Sequence, residues 1–167
     1  MKIFLIGFMG TGKSYWGKLW AEKTGIIFFD LDTLIEQEEN KSVWEIFEQN
    51  GETDFREMET IMLHKLAAQD NCIIACGGGT PCFNDNMAWM NENGITIHLQ
   101  SAPGEILKNI MAEKGKRPLL KNFNEPQLRL FIEQKTAERA FIYSQAKIIL
   151  QTSQLTPGYL SALNLIP

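Results

Sequence analysis

Gly7-Phe8-Met9-Gly10-Thr11-Gly12-Lys13-Ser14 fits the pattern G-x-x-x-x-G-K-[ST] at every fixed position. Glycines at these places let the backbone curl its N–H groups around an anion, and the helix that follows turns the positive end of its dipole toward the same point. A lysine at Lys13 reaches β- and γ-phosphates, and a hydroxyl at Ser14 sits on Mg²⁺. The flanks agree with this reading. Lys2 to Ile6 is an apolar run suited to a buried strand, and Tyr15, Trp16, Leu19 and Trp20 follow at helical spacing. The stretch therefore sets a strand, a phosphate-cradling loop and a helix as the first unit of the fold, with a nucleoside triphosphate as the first ligand to consider.

Outward from that unit, short apolar runs alternate with helical segments, the pattern of an α/β domain with a mostly parallel sheet. Strands are expected at Lys2 to Ile6, Ile26 to Phe29, Cys72 to Ala75, Thr96 to Leu99 and Lys147 to Leu150. A helix from about Lys13 to Lys23 stops at Gly25, a C′ glycine with Lys23 at the negative end of the dipole. Phe55, Met58, Met62 and Leu66 recur every three or four residues and place a helix over about Glu52 to Gln69. Further helices are expected near Asn84 to Asn91, Pro103 to Ala112, Glu125 to Tyr143 and Pro157 to Leu163.

The chain has 167 residues, 44% of them hydrophobic, enough for one domain with a sizeable core. A net charge of −4 and a pI near 5.3 argue against nucleic acid as the main partner. No apolar run reaches the roughly eighteen residues of a membrane span, and no signal-peptide pattern is present. A soluble cytoplasmic protein is expected. The three cysteines, Cys72, Cys76 and Cys82, are odd in number and lack C-x-x-C spacing, so they read as buried or half-buried thiols. His64 and His98 read as structural.

Three polar places can hold an acceptor for a phosphoryl group, a reaction that asks the protein for positioning above all. Asp30-Leu31-Asp32 falls at the C-terminal end of the second strand, where ligands bind in open α/β sheets. In an extended segment both carboxylates point the same way, one toward Mg²⁺ through water and one toward an acceptor hydroxyl. The alternative is that Asp32 caps the helix beginning at Thr33-Leu34-Ile35. In Gly51-Glu52-Thr53-Asp54-Phe55-Arg56-Glu57-Met58-Glu59, Arg56 and Glu59 are spaced to pair. They form either a surface ion pair or a fixed guanidinium able to grip a carboxylate with two bonds. The chain has twelve lysines and four arginines (Arg56, Arg117, Arg129 and Arg139), so each arginine invites a reason. Cys76-Gly77-Gly78-Gly79-Thr80-Pro81 follows the third strand, and its glycines serve either a tight turn or the close approach of a ligand. Glu36-Gln37-Glu38-Glu39 reads as a solvated helix face. The charged stretch from Glu113 to Asn122 is either a solvated loop or a lid that brings Arg117 onto the moving phosphoryl group.

Together the P-loop, Asp30-x-Asp32, Gly51-Glu52-x-x-Phe55-Arg56-x-x-Glu59, Gly77-Gly78-Gly79, Arg117-Pro118-Leu119-Leu120 and Arg139-x-x-x-Tyr143 resemble the shikimate kinase family, in the family's order over nearly the whole chain. The resemblance implies a three-layer P-loop kinase fold with a five-stranded parallel sheet in the order 2-3-1-4-5, flanked by helices. It implies a single domain over 1–167, with an acceptor-binding segment at about 30–60 and a lid at about 112–124. The implied activity is ATP-dependent phosphorylation of the 3-hydroxyl of shikimate, with Mg²⁺, on the way to aromatic amino acids. By the same resemblance Arg56 and Arg139 clamp the shikimate carboxylate, Asp32 binds ring hydroxyls and serves as base, and Gly77, Gly78 and Gly79 offer backbone contacts. Lys13 and Arg117 stabilise the moving phosphoryl group, Ser14 ligates Mg²⁺, and Asp30 stands behind a water. Gly10, Thr11, Gly12 and Tyr15 complete the nucleotide contacts, with Gln154 or Pro157 toward the base. A monomer without nucleic-acid or membrane partners is expected.

The chain departs from the family at Phe141, where proline is frequent, at Gln151, where aspartate is common, and at Ile110, where an arginine usually stands near the adenine. Lys108 and Lys114 are the cations available to replace that arginine. A kinase for another small hydroxylated acceptor, or an inactive shikimate-binding relative, would share most of these features. A guanine-reading switch would not, because Asn40-Lys41-Ser42 is followed by Val43 where N-K-x-D needs aspartate.

Overall fold

The computed structural model describes residues 1–113, 120 and 122–162. Five strands form one parallel sheet: β1 (Lys2–Ile6), β2 (Ile27–Asp30), β3 (Cys72–Ala75), β4 (Ile95–Gln100) and β5 (Ile148–Gln151). Their order is β2-β3-β1-β4-β5, as the resemblance implied. The side-chain period of two sorts β1 between two cores. Ile3 and Leu5 pack with Trp20, Ile73, Ile97, Leu99 and Leu150 on one face. Phe4 and Ile6 pack with Leu31, Ile46, Leu63, Ile74 and Met90 on the other. Apolar residues on both faces of the central strand account for a run without polar alternation, and helices on both sides make three layers.

The helices are α1 (Lys13–Thr24), α2 (Leu31–Glu39), α3 (Val43–Lys65), α4 (Asn86–Asn93), α5 (Pro103–Ala112), α6 (Glu125–Tyr143) and α7 (Tyr159–Ala162). Gly25 closes α1 with its N–H on the Ala21 carbonyl, and Lys23 sits in the last turn. The helix expected from Glu52 begins instead at Val43. Ser42 and Glu45 form a capping box there, and Gly51, at φ 85°, bends the helix without ending it. Its regular part stops at Lys65, and Leu66–Ala68 tighten into a 3-10 turn. Helix α4 starts after its expected position because Asn84 and Asp85 take left-handed backbone angles. Strand β2 and helix α2 meet without a loop, Asp30 being the N-cap that accepts from the Thr33 N–H. The cap is therefore Asp30, and Asp32 lies in the first helical turn, outside the extended segment.

A third cluster sits under the phosphate loop. Phe8 packs there with Ile106, Leu107 and Ile110 of α5 and with Leu128 and Ile132 of α6. Ile110 is fully buried in this cluster, so it serves the core and not the nucleotide. No described helix is long and apolar enough to cross a membrane.

Candidate active site

The loop after β1 holds its anion-binding shape through contacts from two other elements. Gly10 takes φ 79°, and an added Cβ would lie 3.1 Å from Ile110 and 3.2 Å from the Ile106 carbonyl, so α5 presses on it. Asn109, also on α5, donates to the Gly10 carbonyl at 2.7 Å. The buried Thr11 hydroxyl donates to the Phe8 carbonyl at 2.8 Å. Lys13 folds its ammonium over the loop, donating to the Gly7 and Phe8 carbonyls at 2.8 and 2.9 Å. Ser14 donates to Asp30 at 2.5 Å, which joins the loop to the end of β2.

These groups line a cleft of about 610 Å³ that also takes in Tyr15, Asp32, Gly77 and Gly78. Its far end is walled by Ser101, Glu105, Lys108, Asn109 and Thr152. Lys108 thus lines the cleft, whereas Gln154 lies in an exposed turn outside that wall, next to Thr152. Arg117 lies outside the described residues, as do 114–119 and 121, which make up much of the expected lid. Leu163, at the end of the expected last helix, lies outside them too.

The acceptor side is built around the three glycines. A Cβ on Gly77 would lie 2.9 Å from Asp32 Oδ1, one on Gly78 3.4 Å from Arg139 Nη1, and one on Gly79 2.5 Å from the Arg56 guanidinium. The close approach for which these glycines leave room is made by the charged side chains themselves. Arg56 is only 9% exposed. Its Nη1 donates to Glu59 at 2.7 Å, and its Nη2 and Nε donate to Glu52 at 2.8 and 3.2 Å. The rings of Phe47, Phe55 and Phe83 surround the guanidinium, the nearest centroid 4.7 Å away. Glu59, buried in turn, accepts from the Thr80 hydroxyl just after the glycines. The pairing of Arg56 with Glu59 is thus a buried, oriented one and not a surface pair. Arg139, half-buried on α6, lies over the Phe8 ring.

Burial dominates the electrostatics here. Asp32 is pushed up from 3.8 to about 7, first by loss of water and then by the neighbouring Glu59 and Asp30 carboxylates, with Lys13 opposing. Its Oδ1 is buried without a hydrogen-bond partner. A carboxylate near neutrality with an unsatisfied oxygen at a cleft is poised to take a proton. Burial raises Glu59 as well, against the pull of Arg56. Burial alone would lower Arg56, but Glu59 and Glu52 outweigh it and the guanidinium is held more firmly protonated.

The donor set at the loop's edge is the Ser14 hydroxyl with the Asp30 carboxylate, hard oxygens that suit Mg²⁺. Among the described residues no group of three histidine, cysteine or acidic side chains could hold a metal ion. Cys72 and Cys76 are buried and Cys82 half-buried, all free. His64 stacks on Trp89 and His98 on Tyr143.

Several contributors escaped the sequence. Thr80, Asn109, Thr152 and the aromatic cage of Arg56 reach the site through tertiary packing. The one local signal that could have found any of them is the Ser42-x-x-Glu45 capping box, which starts the helix carrying Phe47.

A family model described as shikimate kinase matches residues 9–164. A shikimate kinase of Bacteroides thetaiotaomicron is 41% identical over 93% of this chain and 89% of its own length. A shikimate kinase of Phocaeicola vulgatus is 40% identical over 92% and 88%. Among solved structures, the shikimate kinase crystal structure from Bacteroides thetaiotaomicron superposes with a TM-score of 0.95 at 38% identity over 99% of both chains. That of Acinetobacter baumannii, in complex with shikimate, gives 0.85 at 30% identity over 98% of this chain and 90% of its own.

Proposed function

The chain belongs to the shikimate kinase family, and from that premise we propose how its own residues phosphorylate shikimate at the 3-hydroxyl with ATP. The observation that carries the reading is the glycine segment Gly77–Gly79, against which Asp32, Arg56 and Arg139 all pack across from the phosphate loop. One edge of this arrangement suits a carboxylate and the other a hydroxyl.

Arg56 and Arg139 hold the acceptor's carboxylate, and Asp32 holds its ring hydroxyls. The rigid partners of Arg56 mean that little order has to be created on binding. The 3-hydroxyl oxygen forms its bond to the γ-phosphorus of ATP as the bond to the β–γ bridging oxygen breaks, and the hydroxyl proton passes to the Asp32 carboxylate. Lys13 exchanges its loop carbonyls for the β- and γ-phosphates and offsets the charge on the moving group. Arg117 adds a second positive charge from the lid. Gly10, Thr11, Gly12 and Ser14 cradle the phosphates, and Tyr15 borders them. Lys108 and Thr152 suit the base end better than Gln154, because they line the cleft.

Mg²⁺ fits the oxygen donors of Ser14 and Asp30, and when bound it supplies positive charge to the phosphates. Residues 30–60 form the acceptor-binding segment of a single domain.

The deciding experiment is ADP release in a coupled assay with shikimate, quinate, gluconate and nucleoside monophosphates offered in turn. Release with shikimate far above the others is expected. Folded protein giving none with shikimate would overturn the reading.

A further inference from the structure

Tyr143 closes the acceptor half of the site from behind. It ends α6, is 3% exposed, and donates its hydroxyl proton to the Gly78 carbonyl at 2.6 Å. Its ring lies against His98 of β4, the centroids 4.8 Å apart. Arg139 precedes it by one helical turn on the same face. The Arg139 guanidinium packs against the same glycine, its Nη1 3.4 Å from a Cβ built on Gly78, and its charge bears on the phenol. Arg139, Tyr143 and Gly78 therefore form one chain of contacts.

The directions in that chain are fixed by chemistry. A phenol has one proton to give and lone pairs with which to accept. With its proton on the Gly78 carbonyl, the phenol oxygen has only lone pairs left to offer the nearby Arg139 charge. Burial pushes the phenol up to about 12, so the proton stays in place over the working range. His98 is pushed down to about 4 by burial and by Lys13, so its ring stacks as a neutral group that does not repel Arg139. The peptide that carries the Gly78 carbonyl also carries the Gly79 N–H, which planarity turns to the opposite side, away from α6.

We infer that Tyr143 is a positioning residue for acceptor binding, holding the Arg139 guanidinium and the Gly78–Gly79 peptide in the one mutual arrangement that receives the acceptor. The inference rests on the shikimate kinase reading above. It assigns Tyr143 a task that the carboxylate clamp alone does not contain. Arg139 sits on a long stem over Phe8, and the phenol fixes the glycine peptide against which its fork is set.

Tyr143→Phe keeps the ring and its stack on His98 and removes only the hydroxyl. In the full chain, about a tenfold rise in the shikimate KM is expected, with the ATP KM and kcat within about twofold. Adding Y143F to Arg139→Ala should raise the shikimate KM little beyond Arg139→Ala alone, because the two residues act as a unit. A merely structural phenol would lower thermal stability without splitting the two KM values. If Y143F is too unstable to assay directly, shikimate titration of nucleotide-loaded protein, whose fold the nucleotide stabilises, reads the same shift. An unchanged shikimate affinity, equal losses for both substrates, or additivity with Arg139→Ala overturns the inference. Wild-type turnover of shikimate alongside any of these leaves the functional reading standing, whereas no wild-type turnover overturns both.

Discussion

The Arg56 guanidinium lies so close to Gly79 that a Cβ on the glycine would stand 2.5 Å from its central carbon. The backbone of Gly79, at φ −90° and ψ −25°, is open to any residue, so the need for glycine there is a matter of space alone. Glu59 and Glu52 hold the guanidinium where it is, and Phe83 covers it. Gly79→Ala should displace Arg56 from its seat while the phosphate loop stays intact. A shikimate KM about 10- to 100-fold higher is expected, the equivalent of one charge-assisted hydrogen bond, with nucleotide affinity nearly unchanged. Calorimetric titration with each ligand separately checks this, and equal losses for both would count against it.

What the sequence made legible and what it did not follows from the range of the forces involved. The phosphate loop, the central strand and the helix of Glu125 to Tyr143 are local patterns, and the structure has them where periodicity and spacing put them. The helix before Gly51 was missed because a left-handed glycine reads as a stop, yet Ser42 and Glu45 cap a helix that continues through it. Asp32 was placed on an extended strand end because nothing local announces that α2 starts at Leu31 with no loop. Its shifted acidity comes first from burial that only the folded core provides and then from Glu59, 27 positions along the chain. Thr80 on Glu59, Asn109 on the loop and Tyr143 on Gly78 are likewise meetings of distant segments.

Arg56→Lys should separate charge from geometry. An ammonium keeps the positive charge beside Glu59 but lacks the planar fork that serves Glu59, Glu52 and an acceptor carboxylate together. A rise of about 100-fold in the shikimate KM is expected, with the ATP KM within about twofold. Stability should fall as well, by roughly 1–3 kcal/mol, because buried Glu59 loses part of its hydrogen bonding. Kinetics with each substrate varied, alongside denaturant unfolding, test both parts. A variant with normal shikimate KM would remove Arg56 from the clamp.

Asp32 links activity and stability through pH with opposite signs. Its folded value of about 7 lies above the ordinary 3.8, so the folded state holds the proton more tightly than the unfolded state between those values. Stability contributed by the neutral form is fully present below about pH 4 and is lost as pH rises through 7. Asp32→Asn, which mimics the neutral form, should therefore be more stable than the native chain at pH 8, by at most roughly 4 kcal/mol, and no more stable at pH 4. Turnover runs the other way, since the base must be ionised. The native kcat/KM should fall on the acid side with a midpoint near 7, and Asp32→Asn should lose about 10²- to 10⁴-fold in kcat. Unfolding curves at the two pH values and a pH–rate profile decide the matter. Near-normal turnover in the Asn variant would take the base role from Asp32.

Asn109 offers the complementary test at the nucleotide end. Its side-chain amide donates to the Gly10 carbonyl at 2.7 Å, and the next residue, Ile110, packs against Gly10 itself. This one turn of α5 thus fixes the loop whose N–H groups must all face the phosphates. The relation is exposed to water, so its loss should leave the fold intact while letting the Gly10 peptide rotate. Asn109→Ala should raise the ATP KM by about two- to tenfold, the worth of one hydrogen bond. Shikimate binding without nucleotide should not change, because Arg56, Arg139 and the three glycines make no contact with α5 through Asn109. An ATP KM equal to that of the native chain would mean that packing by Ile106 and Ile110 alone holds the loop.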